Sequence, residues 1–199
     1  MCFKRNPPVQ NLQISGEALP FVSVAKILGL WVQNDLKWNT HVDNLLAKSS
    51  KKLFMLRSLK RFGFSTVELR ATYNSYVRPV LEYADVIWHS GINTNQSSSI
   101  ESVQKRACKI ILGTNYQSYE SALQALNIDL LSTRRECHCL KFATNIQNNE
   151  RCNFLFPPSR LASHGKNLRN SHNISKLPAK TRRFQTSPIP YYIELINSN

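Results

Sequence analysis

The stretch THVDNLLAKSSKKLFMLRSLKR, residues 40–61, decides the fold class. Val42, Leu45, Leu46, Leu53 and Leu56 share one face when successive residues are rotated by ~100°, the period of an α-helix. Lys48, Lys51 and Lys52 fall off that face, so a cationic stripe runs beside an apolar one. Arg57, Lys60 and Arg61 crowd the C-terminal end, where positive charge complements the helix dipole, and Gly63 supplies a stop. A helix with one apolar face needs other elements to bury it against, and the flanking sequence provides them.

Downstream, Ser65-Thr66-Val67-Glu68 has the pattern of a capping box, in which Ser65 caps a new helix and Glu68 reaches back. That helix runs through Leu69, Tyr73, Tyr76 and Val77. Pro79 is expected to break it and to open a new segment from Val80 to Trp88. Gly91 to Ser99 reads as a polar loop. Ile100, Val103, Ala107, Ile110 and Ile111 then give a third buried face ending at Gly113, with Lys105, Arg106 and Lys109 elsewhere on the circumference. Ser121–Leu126 and Ser132–Ile146 predict two further helices. Upstream, Leu12, Ile14 and Ser15-Gly16-Glu17 read as a strand end and turn, and Ile27 to Val32 as a short β-rich run around Gly29. The expected fold is therefore mainly α, with a short β lead-in, a helical bundle and a basic tail.

Charge bounds the function. The 199 residues carry 26 Lys+Arg against 12 Asp+Glu, a formal charge of +14, which draws the chain to polyanions whatever its fold. Nucleic acid is the leading partner and an anionic membrane surface the second. Leu45 to Val67 holds six cations and no acid. Arg151 to Ile193 holds eight and no acid, together with five of the nine prolines, and so predicts an extended tail beginning near residues 148–158. No apolar run approaches the ~20 residues of a membrane span, and no signal-like stretch follows Met1. The expectation is an intracellular protein, nuclear or cytoplasmic, with its five cysteines reduced.

Enzyme templates fail. No P-loop, dinucleotide-binding glycine pattern, His-Glu-x-x-His or Gly-x-Ser-x-Gly occurs. Two-metal polymerases need near-adjacent carboxylates, because both ions must be held on one rigid turn. Asp85 is followed by Val86, so it reads as a polar surface or capping residue. Cys137-His138-Cys139, with Cys152, His164 and His172 downstream, lacks zinc-site spacing, and core or surface thiols are the simpler reading. Trp31, Trp38 and Trp88 read as core or interface anchors. No metal or cofactor is expected.

Four stretches, taken in order, carry a resemblance. They are Ala25-Lys26-Ile27-Leu28-Gly29-Leu30-Trp31-Val32 followed by Leu36 to Val42; Tyr76-Val77-Arg78-Pro79-Val80-Leu81-Glu82-Tyr83-Ala84 with Trp88; Ile100 to Ala107 closing at Ile111-Leu112-Gly113; and Arg134-Arg135-Glu136 with Leu140-Lys141-Phe142. Together with Thr181 to Pro190 they resemble the region after the catalytic palm in reverse transcriptases of non-LTR (LINE-type) retrotransposons, of the Jockey and CR1 groups. The resemblance covers nearly the whole chain. It implies residual palm strands over 1–35, a thumb-like helical bundle over 36–115, further helices over 116–150 and a basic, partly extended tail over 151–199.

The same resemblance implies that the fingers, most of the palm and the catalytic aspartates of the Phe/Tyr-x-Asp-Asp turn precede the strand that Met1-Cys2-Phe3-Lys4 resembles. Magnesium would then belong only to the full-length parent enzyme, an RNA-directed DNA polymerase. Leu28 and Gly29 would take a primer-grip-like position. The expected partner is an RNA or DNA template–primer duplex, alongside the missing palm and fingers, with Lys48, Lys51, Lys52, Arg57, Lys60 and Arg61 on its phosphates. Arg78, Lys105 and Arg106 fall in matched motifs and serve equally well as phosphate contacts or as braces to Glu82 or Glu101. Two alternatives stand beside this reading. One is a basic helical interaction or scaffold module for an anionic membrane or a protein. The other is a segment like that assigned to AlkB-type tRNA methyltransferases, which Leu36 to Phe64 also resembles without any metal triad or cofactor loop.

Overall fold

The computed structural model describes residues 13–18, 20–161 and 170–198. Cys2 and the Met1–Lys4 strand, Leu12, His164, Lys166 and Arg169 lie outside the described residues.

The chain is mainly helical with a short β lead-in. Strands β1 (Gln13–Ile14) and β2 (Glu17–Ala18) form one antiparallel hairpin, and β3 (Val24–Ile27) and β4 (Leu30–Gln33) a second. Ile27 pairs with Leu30, so Leu28-Gly29 is a two-residue turn, with φ of 46° and 86°. Two positive φ values match the strand twist in a tight hairpin, and the first position ordinarily favours Asn or Gly over a residue such as Leu. Gly29 is required twice over. Its backbone is left-handed, and a Cβ there would stand 3.2 Å from the Tyr83 ring.

Helix α1 (Asn39–Arg61) follows the predicted period, burying His41, Val42, Leu45, Ser49, Leu53 and Leu56. Its start is tied to the hairpin, because the Thr40 amide donates to the Gln33 side chain at 3.0 Å. Helix α2 (Thr66–Thr72) carries the predicted capping box, with the Ser65 amide donating to the Glu68 carboxylate at 2.8 Å. The backbone then widens into a π-turn over Tyr73–Val77 before α3 (Arg78–Leu81). Pro79 has no N–H to donate, and a wider turn just ahead of it relieves the crowding its ring would cause.

The sequence reading needs correction at three places. The segment expected from Val80 to Trp88 is split, because Ala84 adopts a left-handed φ of 50° between α3 and α4 (Asp85–Trp88). Helix α5 (Thr94–Leu112) begins inside the expected polar loop, since Asn93 and Gln96 form a reciprocal capping box at its start. The described residues of the tail include the helices α8 (Arg182–Gln185) and α9 (Pro188–Ser198). Pro188 and Pro190 occupy the first turn of α9, where backbone N–H groups have no helical partner to lose.

Helices α6 (Tyr119–Leu126) and α7 (Leu131–Asn148) complete the bundle. One apolar cluster joins Leu45, Leu53 and Leu56 of α1 to Leu69, Tyr73, Trp88, Ile100, Ile111, Leu126 and Leu131, so residues on both sides of position 116 share a core. A second cluster sets Cys139 and Ala143 of α7 against Phe156, Ile174, Tyr192, Ile193 and Leu195. Tyr192 donates its hydroxyl to the Val86 carbonyl, and Asn197 exchanges two hydrogen bonds with the Ile174 backbone at 2.9 and 3.0 Å. Helix α9 is thereby fastened to α4 and α7.

Candidate nucleic-acid interface

The outer side of α1 combines free cations with apolar rings. Lys48, Lys51, Arg57 and Arg61 are exposed, and among the described residues none pairs with a carboxylate. Phe54 and Phe62 lie among them, 65% and 80% exposed, with Met55 and Phe64 also open to solvent. The helical spacing that buries Leu53 and Leu56 necessarily turns Phe54 and Met55 outward. The rotation that ranks the leucines as buried also places these rings outside, a signal found only when exposed apolar positions are sought as well as buried ones.

Two of the six predicted cations are committed elsewhere. The Lys52 ammonium donates to the Tyr76 carbonyl at 2.8 Å and lies 3.7 Å from the centre of the Tyr76 ring. It thus serves a backbone oxygen of the π-turn. The Lys60 ammonium donates to the Ile111 carbonyl at 2.9 Å, satisfying one of the last acceptors of α5. Both act as braces between α1 and its neighbours.

The three ambivalent residues separate as well. Arg78 faces Glu82 at 3.7 Å, and the same carboxylate receives Arg134 at 2.5 Å. Arg106 is exposed and donates to Ser50 Oγ at 3.2 Å, which sets it on the rim of the α1 surface. Lys105 is exposed, 6.0 Å from the Tyr119 ring centre, and Glu101 is taken by Tyr119 and the Leu131 amide. Leu28 and Gly29 form the tip of the β3–β4 hairpin. The Tyr83 hydroxyl donates to the Leu28 carbonyl at 3.0 Å while the Leu28 side chain stays exposed.

Behind this surface lies a polar seam that the sequence did not disclose. Asp85 is buried, not on the surface, and meets His138 Nδ1 at 2.7 Å. Burial raises the Asp85 pKa, with the bond and charge of His138 acting in the opposite direction. Arg135 is wholly buried; it donates to His89 Nδ1 at 3.3 Å and Ser97 Oγ at 3.1 Å, with Trp88 beside its guanidinium. Burial, with the Arg135 charge alongside, holds His89 down to about 4. Gln104 is likewise buried, accepting from Tyr73 and donating to Tyr119 and to the Asp129 carbonyl.

The Cys137-His138-Cys139 run does not converge. Cys137 is exposed, His138 serves Asp85, and Cys139 is buried, its thiol pushed by burial to about 12. Among the described residues no three His, Cys, Asp or Glu side chains gather as metal ligands. Among them also, no helix is long and apolar enough to cross a membrane. Compared with known proteins, the chain matches no family model, no curated protein and no solved structure.

Proposed function

We propose that this chain is a thumb-like remnant of a non-LTR retrotransposon reverse transcriptase and acts by holding a template–primer duplex through its phosphates, without catalysis of its own. The observation that carries the reading is the outer side of α1, where Lys48, Lys51, Arg57 and Arg61 stand exposed and, among the described residues, unpaired with carboxylates. Such cations displace the counterions condensed on a duplex, and contacts to phosphate position it without reading sequence. Lys52 and Lys60 keep the platform rigid, and Arg106 extends it toward α5. Phe54 and Phe62 offer flat faces to unpaired bases at a primer–template junction, since stacking tolerates any base. The magnesium chemistry of the parent family needs near-adjacent carboxylates on one turn, and here Asp85 is followed by Val86.

The test is binding of a labelled primer–template duplex in two unrelated sequences of equal length. Equal affinities that fall steeply from low to moderate salt support the reading; flat salt dependence, or preference for one sequence, refutes it. The membrane alternative is favoured by the same Phe54 and Phe62, because apolar rings flanked by Lys51, Arg57 and Arg61 suit an anionic bilayer surface. Flotation with phosphatidylserine vesicles, without retention of duplex, would select it.

A further inference from the structure

A cavity of about 330 Å³ lies where the β3–β4 hairpin meets the first half of α1 and the start of α3. Trp31, Pro79 and Tyr83 line it with flat apolar surface, and Lys26 and Lys48 bring two ammonium groups. Among the described residues no carboxylate lines it. His41 also lines it, only 5% exposed, and among the described residues neither ring nitrogen has a hydrogen-bond partner. Buried polar groups are nearly always hydrogen-bonded, so an imidazole on a cavity wall whose ring contacts are with Trp38 and Trp88 marks a place for a ligand atom. Burial and the nearby Lys48 charge lower the His41 pKa, so near neutrality the ring carries one N–H to donate.

We infer that this cavity binds a small phosphomonoester carried on one aromatic ring, its phosphate between Lys26 and Lys48 with His41 donating, its ring against Trp31, Pro79 and Tyr83. Charge selects the phosphate: a monoester carries about −1.5 to −2 near neutrality, matching two ammoniums where a carboxylate would leave one over. The walls select the ring. Lys26 is already poised there, its ammonium 5.7 Å from the centre of the Trp31 ring. The volume sits at the small end of ligand pockets, enough for a single ring and its phosphate. The cavity shares Lys48 with the proposed duplex surface but is otherwise distinct from it, because Lys51, Arg57 and Arg61 do not line it.

Phenyl phosphate is the probe, titrated into the whole chain while histidine ring and tryptophan indole resonances are followed. The expected result is saturable movement of the His41 and Trp31 signals, with phenol and inorganic phosphate each at least about tenfold weaker. Lys26 is exposed on a strand, so Lys26→Gln keeps the fold and should weaken phenyl phosphate by about tenfold. His41→Gln identifies the His41 signal and should abolish its response. The inference is overturned if His41 does not move, if phenol binds as well as phenyl phosphate, if Lys26→Gln changes nothing, or if the responding residues are Phe54 to Arg61. Lys48 is left intact throughout, so the outcome is separate from that of the duplex experiment.

Discussion

The outer face of α1 and the seam between α4, α5 and α7 use the same residue types to opposite ends. On α1, Lys51, Arg57 and Arg61 stand in water without carboxylate partners among the described residues. In the seam, Arg134 grips Glu82 and Arg135 is sealed among His89, Ser97 and Trp88. Both Arg134 and Arg135 belong to a stretch that the family resemblance singles out, yet both are held by the fold, whereas Lys51, Arg57 and Arg61 of α1 are open to a ligand. A formal charge of +14 is thus a sum over two populations, one available to polyanions and one spent on the fold.

Substitutions in the seam should act on stability. Arg135→Ala, followed by urea unfolding, should cost roughly 3–5 kcal/mol, because it strips a buried cation from the field of Glu101, Asp85 and Glu82 and empties its space. Arg135→Met, which fills the space, should recover part of that loss. An equal loss in both variants would show that the charge rather than the volume is what the seam needs.

Acid separates the regions next. The His89 pKa is depressed from 6.5 to about 4, so its contribution to stability is complete above pH 6.5 and is lost as pH falls toward 4. Protonation there sets a second cation against Arg135. Partial solvent access reduces the ~1.36 kcal/mol per pKa unit, leaving about 2 kcal/mol over that window. His41, lowered by burial, adds in the same direction. His89→Asn keeps an acceptor for Arg135 and should flatten the fall in melting temperature between pH 6.5 and 4.

Lys52 and Lys60 test the border between the two populations. Lys52→Met and Lys60→Met should each lower stability by about 1 kcal/mol, since a backbone carbonyl loses its donor. Duplex affinity should move less than about threefold if these cations are braces. A larger loss of affinity with unchanged stability would return them to the binding surface. The smallest effect is expected at the hairpin tip. Leu28→Asn should raise stability by a few tenths of a kcal/mol, because Asn tolerates a positive φ better than Leu.

What the sequence disclosed follows from the range of the interactions involved. The α1 face, the Ser65–Glu68 box, the buried face of α5 and the helical span of α7 rest on contacts within one or two turns, and these are written as local spacing. The Asn93–Gln96 box is as local, but it lies in a run of polar residues that reads as loop. The seam is different in kind. Glu82 meets Arg134 across 52 positions and Asp85 meets His138 across 53, and no periodicity joins them. The same holds for Lys60, whose partner is the Ile111 carbonyl, 51 positions away. Helix α9 was hidden by Pro188 and Pro190, which mark a helix start as readily as an extended chain. Of the candidate site, the cations of α1 were legible as a set, but the division between free and committed members appears only when the helices are packed.

The most direct test of that division is the salt dependence of double-stranded DNA binding, compared between the native chain and the triple variant Lys51→Gln, Arg57→Gln, Arg61→Gln. Each phosphate-neutralising cation contributes about −0.9 to the slope of log K against log salt. The variant's slope should therefore be shallower by about 2.7, with its melting temperature unchanged. Identical slopes for the two proteins would contradict the assignment of these three residues to the phosphate backbone.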